Sequence, residues 1–405
     1  MTDLRGSTTS SDRVERPTSV PEAAELLRDT SGTVLFRGAG TKLGWGGSVP
    51  PTDLVLDTGA MTQMLGHTPA DMTAAVQGGI PLQALQDQLG GHGQWLALDP
   101  PTAGAGATLG GLLAAGDSGP ARLRYGNLRD LVIGVTLVLP DGAVAHSGGH
   151  VIKNVAGYDM AKLVHGSLGT LALVAEVVLR LHPRPVEQVT TVGEADVRQA
   201  ADAVGRIAAS TLVPTAVEWV QDGDGGGRLV VRSDGSPVAV AAAATHLSQL
   251  LAQAGITASA CPPEDVSGLW DELAGVVDGN DHGDGDTVVR IATLPTDLLA
   301  TAEQAAAVAA AAGVASRLVS SAAVGVHTLR LGGGTPEAVS TVVDQVRRHA
   351  LARGGSVLLR RRPADVDAVV DPLGPPPSSV ELLRRIKAQF DPTGRCAPGR
   401  FEPWY

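Results

Sequence analysis

Two glycine-rich loops constrain this chain more than any other feature. They are RGAGTKLGWGG, from Arg37 to Gly47, and PPTAGAGATLGGLLAAGDSG, from Pro100 to Gly119. Glycine lacks a Cβ and tolerates positive φ, so such loops let bare main chain approach a large ligand. Neither fits a common nucleotide fingerprint. A Walker loop needs G-x-x-x-x-G-K-[ST], which no stretch supplies, and a Rossmann fingerprint needs G-x-G-x-x-G between a strand and a helix. After Gly38 and Gly40 the third position is Leu43, and after Gly104 and Gly106 it is Leu109, so both spacings run too long. A strand at Thr33–Phe36 precedes the first loop. Trp45, Gly46, Gly47, Pro50 and Pro51 then forbid a following helix. The grip this pattern predicts is a pocket of main-chain N–H donors for phosphate, not a helix dipole.

Composition narrows the class. The 405 residues make two or three domains, and 43% hydrophobic with 18% charged residues suits a globular protein. Aromatics are only 3%, so the core is built mainly from Val, Leu and Ala. A net charge of −11 argues against nucleic acid or an anionic membrane surface as partner. Cys261 and Cys396 are too few for a disulfide framework, a zinc set or an iron–sulfur cluster. The polar N-terminal stretch shows no signal peptide, and no apolar run reaches the length of a membrane span. The cytoplasm is the expected compartment.

Periodicity organises the rest. Residues 1–16 read as a disordered tail. A helix runs from Pro21 to Arg28, followed by strands at Leu54–Asp57 and Thr73–Gln77 and a helical segment at Pro81–Leu89. A long strand at Leu131–Leu139 ends in a Pro140-Asp141-Gly142 turn. Tyr158–Val164 reads as a helix capped by Asp159, with Tyr158 packed at a domain interface, and Leu171–Leu181 as a buried strand. His182-Pro-Arg-Pro185 marks a boundary. Beyond it, helices alternate with antiparallel strands in an α+β domain, in which a duplication is conceivable but carried by no shared motif. After the linker DPLGPPPSS, a last helix reaches Phe390, with Ser378 and Glu381 at capping-box spacing.

Several residues could carry chemistry. Arg37 to Lys42 could hold a pyrophosphate, with the Thr41 hydroxyl and Lys42 charge assisting. The small residues of the second loop would let a flat ring lie against main chain, with Thr108 and Ser118 as polar contacts. His327, Arg330 and Arg232 could face a substrate, although a lone strand histidine is more often a satisfied core residue. The acidic run Gly279–Asp286 lacks calcium-loop spacing and reads as solvated. His146 and His150 read as turn residues, and no metal site is expected.

In order, the segments RGAGTK, VLDTGAM, AAVQGGIPLQAL, DPPTAGAGATLGG, RYGNLRDLVIGVTLVLPDG and KNVAGYDMAKLVHGSLGTLALVAEV resemble the FAD-binding (PCMH-type) domain of the vanillyl-alcohol oxidase superfamily. KNVAGYD with GSLGTL, and the ending FDPTGRCAPGRF, are most similar to the FAD-binding subunits of bacterial glycolate oxidases. The resemblance implies an α+β fold, with an FAD-binding domain of two α+β subdomains at 17–185. It also implies an α+β cap with an antiparallel sheet at 186–376, and a C-terminal helix and tail at 377–405 returning to the FAD domain. It implies that Arg37, Gly38, Ala39, Gly40, Thr41 and Lys42 hold the pyrophosphate of FAD. Thr108, Gly111, Ala115, Gly116, Asp117 and Ser118 would line the flavin, and Val174 would meet the nucleotide end. Thr41 stands where covalent relatives carry His, which implies non-covalent FAD. Ala397 stands where the family's PGR ending usually has a preceding Asn, and the paired-His motif of catalytic relatives is missing from the cap.

The activity so implied is oxidation of a small 2-hydroxy acid, glycolate foremost, by hydride transfer to flavin N5, with the catalytic residues unassigned: His327 is the only nameable base candidate, an arginine would anchor the carboxylate, and Arg330 is a further candidate. The alternative is a non-catalytic FAD-carrying accessory subunit. Its partners would be a second flavoprotein and an iron–sulfur protein, through which it would lie peripheral to the inner membrane.

Overall fold

A computed structural model describes residues 13–149, 157–222, 226–278 and 285–405. The chain divides into two compact units. The first comprises residues 1–119, 125–184 and 375–405, and the second residues 120–124 and 185–374.

The first unit is built on two main sheets. In one, β1 (Val14–Glu15) and β2 (Val34–Arg37) flank β3 (Leu54–Asp57), all parallel. Residues 14–15 were expected in a disordered tail. Instead Val55 donates its N–H to the Arg13 carbonyl at 3.0 Å and draws this stretch into the sheet. The helix Val20–Asp29 is capped by Ser19, carries a proline in its first turn, and buries Ala23, Ala24 and Leu27 against the strands. The other sheet is antiparallel, in the order β4 (Met64–Thr68), β5 (Thr73–Gln77), β9 (Leu173–Arg180), β7 (Val132–Val138), β8 (Val144–Gly148). Its apolar face packs on the helices Leu82–Gly90 and Leu109–Ala115. A short ladder joins β6 (Gln94–Trp95) to β10 (His182–Pro183). His146 lies in β8 rather than in a turn, and its Nδ1 meets Thr136 Oγ1 at 3.0 Å. Asp159 does cap the helix Met160–Val164, and Tyr158 is 88% exposed among the described residues. His150 and the KNVA of KNVAGYD lie outside the described residues.

The second unit contains one eight-stranded antiparallel sheet. Its strands in chain order are β11 (Glu187–Glu194), β12 (Ala216–Asp222), β13 (Gly226–Gly235), β14 (Ala258–Ala260), β15 (Thr287–Ala292), β16 (Ala315–Ser321), β17 (Val326–Gly332) and β18 (Ser356–Arg361). The spatial order is β14-β11-β13-β12-β16-β17-β15-β18, a palindrome of two βαββαβ halves joined where β12 pairs with β16. The halves keep one constant sequence offset. Val220 pairs with Val319 at the centre. Ser236 and Thr335 cap the equivalent helices Pro237–Gln253 and Pro336–Leu351, and Gly255 and Gly354 follow both helices at φ +76 and +72. The duplication therefore has a shared motif, GSPVAV at 235–240 against GTPEAV at 334–339. The four helices of the two halves cover one face, and the helix Pro263–Asp278, which periodicity did not single out, covers part of the other.

The C-terminal segment belongs to the first unit. Its helix is Val380–Phe390, and the expected capping box at Ser378 is not formed: Ser379 precedes the helix with no side-chain cap, and Glu381 pairs with Arg384. Beyond the helix, Val34 donates to the Arg395 carbonyl at 2.8 Å and Ala397 returns a bond to Val34 at 2.8 Å, adding Cys396 beside β2. Asp391, 2% exposed, accepts from Lys387 Nζ at 2.6 Å and from the Cys396 N–H at 2.8 Å.

Candidate functional site

β2 delivers the first glycine-rich loop. After Arg37 the chain leaves the sheet and runs through turns to Gly47. Gly40 turns at φ +77. At Gly38 an added Cβ would lie 2.2 Å from Thr108 Oγ1, so only glycine allows the two loops to meet there. Among the described residues, the N–H groups of Gly38, Ala39, Gly40 and Thr41 donate to no other group of the chain. Adjacent, unused main-chain donors are a ready cradle for an anion.

The second loop contributes a wall. Thr108 is the N-cap of the helix Leu109–Ala115 and accepts from the Gly111 N–H at 3.3 Å. Leu109 and Gly110 donate to the carbonyls of Ile80 and Gly78 at 3.1 and 2.7 Å. This helix start is satisfied by its own chain, which agrees with rejecting a helix-dipole grip. Gly110, Gly111, Ala114 and Ala115 present a small-residue surface instead.

The two loops and the start of β9 enclose one open trough of about 740 Å³, mouth included. Arg37, Gly38, Ala39, Gly40, Thr41, Lys42, Thr108, Gly111, Ala115 and Val174 all line it. Gly116, Asp117 and Ser118 do not. Gly116 is the left-handed C-cap that ends the helix, and the Asp117 side chain turns away to other partners. Sequence reasoning missed Phe36, Thr58, Leu168, Gly169, Ala172 and Arg400, which complete the lining. Thr58 and Arg400 sat inside segments already singled out, VLDTGAM and APGRF. The wall from Leu168 to Ala172 likewise sat inside a segment already singled out, GSLGTLALVAEV.

The charges at the trough are paired. Arg37 Nη2 donates to Asp57 Oδ2 at 2.8 Å. Burial pushes the Asp57 carboxyl up, but the bonds from Arg37 and the Gly59 N–H and the charges of Arg37 and Arg16 outweigh it, leaving Asp57 below the usual carboxylate range. Lys42 Nζ donates to Thr102 Oγ1 at 2.7 Å and Thr41 Oγ1 at 3.0 Å, and stands 3.4 Å from Asp117 Oδ2. Arg400 Nη1 reaches the carbonyls of Leu43, Trp45 and Gly47 at 2.7, 2.6 and 3.1 Å, bracing the loop.

The substrate-facing candidates fare differently. His327 is 0% exposed, with Nδ1 2.9 Å from Ser320 Oγ and Nε2 2.9 Å from Thr293 Oγ1. Burial, aided by Arg290, holds its imidazole down to about 4. It is a satisfied core histidine and offers no base to a ligand. Arg330, with a 5% exposed side chain, is held by Asp286 at 2.5 Å, so its fork is engaged by its own chain. Arg232 stacks its guanidinium 4.9 Å from the Trp270 ring. Residues 279–284 of the acidic run lie outside the described residues, and no group of three or more metal-ligating side chains occurs among the described residues.

Comparison with known proteins agrees with this geometry. Residues 12–148 match the FAD binding domain family, and residues 376–401 match the C-terminal domain of FAD linked oxidases. The chain carries an FAD-binding domain of the FAD-linked oxidase kind. It is 36% identical over 176 residues to a D-lactate dehydrogenase of Archaeoglobus fulgidus, a match covering 42% of this chain and 39% of that protein. It is 36% identical over 136 residues to glycolate oxidase subunit GlcE of Escherichia coli, covering 34% and 39%. It is 33% identical over 214 residues to glycolate oxidase subunit GlcD of Bacillus subtilis, covering 52% and 45%. These matches span less than half the length of each relative. An alkyldihydroxyacetonephosphate synthase structure aligns over 95% of this chain and 75% of its own with a TM-score of 0.73 at 19% identity, a likeness in fold.

The trough suits FAD on its own evidence. Unused amides at Gly38 to Thr41 answer a diphosphate, and the close approach at Gly38 leaves room for no side chain. The Gly and Ala wall admits a flat ring system.

Proposed function

We propose that this chain is the FAD-binding subunit of an FAD-linked oxidoreductase that oxidises a small 2-hydroxy acid, glycolate foremost. The observation that carries the reading is the run of four unused main-chain N–H groups in a trough lined by both glycine-rich loops. Bound there, FAD supplies the two-electron acceptor chemistry that no side chain can supply. The amides of Gly38 to Thr41 and the Arg37 fork would hold the diphosphate. Hydrogen bonds to a charged group contribute about 1.5–3 kcal/mol each. Thr108, Gly111 and Ala115 would position the ring, and the Val174 main chain would meet the nucleotide end. With Thr41 in the first loop, retention is non-covalent.

A second reading, the non-catalytic accessory subunit, is favoured by a specific pair of observations. His327 is sealed in the core and Arg330 is neutralised by Asp286, so neither named candidate is open to a hydroxy acid. In that reading the substrate site and iron–sulfur clusters lie on partner chains, which would also hold the assembly at the inner membrane. No helix among the described residues is long and apolar enough to cross a membrane.

Anaerobic addition of glycolate or D-lactate to the purified yellow chain separates the readings. Bleaching of the flavin absorbance supports the enzyme, and an unchanged spectrum supports the accessory subunit. A colourless chain that takes up no FAD sinks both.

A further inference from the structure

The trough contains one charge arrangement that its phosphate-binding role does not explain. Lys42 lines the trough, yet its side chain is only 8% exposed and its ammonium points at Asp117, whose side chain is 1% exposed and stands outside the lining. Thr102 bridges them, accepting from Lys42 Nζ at 2.7 Å and donating to Asp117 Oδ2 at 2.9 Å. Lys42 belongs to the first glycine-rich loop, and Thr102 and Asp117 to the second. A buried ion pair therefore ties the two loops together at the edge of the anion cradle.

We infer that Asp117 is a positioning residue that clamps Lys42 across the two loops and withholds part of its charge from the bound diphosphate, so that the second loop tunes the anion affinity of the first. This rests on the diphosphate reading of the trough. The physical reason is burial. Two opposite charges this poorly solvated interact far more strongly than they would in water, and the field of the pair beyond its own length is small. Arg37 is likewise matched by Asp57. The cradle thus presents donors with little net charge, and the main-chain amides do most of the holding. If Lys42 served as an open phosphate hook, a buried carboxylate behind it would oppose that role.

The test is calorimetric titration of the full-length chain, freed of flavin, with inorganic diphosphate at low and high ionic strength. Asp117→Asn releases the Lys42 charge towards the trough. It is expected to tighten diphosphate binding about three- to tenfold at low salt, with most of the gain lost at high salt. Lys42→Met is expected to shift affinity the opposite way. Thr102→Val keeps both charges and removes only the bridge, so it is expected to follow Asp117→Asn with a smaller shift; it decides the matter if Asp117→Asn does not fold. Variants that all weaken binding together, or an unchanged affinity in Asp117→Asn, overturn the tuning role and leave the pair as structural. A wild-type chain that binds neither diphosphate nor FAD overturns the diphosphate reading itself.

Discussion

Gly38 and Thr108 touch across the floor of the trough: a Cβ placed on Gly38 would meet the Thr108 hydroxyl at 2.2 Å. That hydroxyl also caps the helix Leu109–Ala115. One contact thus couples the shape of the first loop to the start of the second loop's helix. Gly38→Ala is expected to push Thr108 off its cap, destabilising the first unit by about 1 kcal/mol or more, and to yield protein with little bound flavin. The ratio of visible to ultraviolet absorbance after purification, with a melting curve, checks both.

Arg400 supports the same loop from behind through three carbonyls. A lysine carries the charge but not the planar fork. Arg400→Lys is expected to keep the fold and weaken FAD retention by about tenfold or more, read as flavin release on dilution. Retention equal to wild type would show that the loop holds its shape without the brace.

His327 makes the stability of the second unit depend on pH. Its folded imidazole titrates near 4, and an unfolded one near 6.5. On acidification the unfolded chain takes the proton first. The stabilising difference is therefore complete above about pH 6.5 and is lost as the pH falls towards 4, by up to about 3 kcal/mol. Urea unfolding between pH 7.5 and 4.5 should show this slope, and His327→Gln should flatten it. A rate loss of 10²–10⁴ in His327→Gln with an unchanged melting curve would instead make His327 a base.

Met72 sits in the left-handed region at φ 52 and ψ 47 with its side chain 40% exposed. That conformation is unfavourable by about 1–2 kcal/mol for most L-residues, and asparagine tolerates it better. Met72→Asn is expected to stabilise the first unit by about 0.5–1 kcal/mol, seen as a raised urea midpoint. Met72→Ala, still strained, should give no such gain.

Much of the architecture was legible in local pattern. β3 and β5 fall at the residues expected for them, and the last helix ends at Phe390 as expected. The repeat in the second unit was legible too, through GSPVAV and GTPEAV, but only once two equivalent helix starts were seen to share it. The helix Pro263–Asp278 was also legible, since Leu269, Leu273 and Val276 recur at helical spacing, yet it was not singled out.

Order and spacing along the chain, then, determined the glycine loops, the element boundaries and the kind of ligand, because main-chain reach and periodicity are local properties. Which charges are open and which are spent was decided only in three dimensions. Lys42 lines the trough, but its pairing with Asp117 is visible only in the fold, and so is the enclosure of His327 by Ser320 and Thr293. Burial and pairing come from segments distant in sequence, and they set whether an ionisable side chain meets a ligand or its own fold.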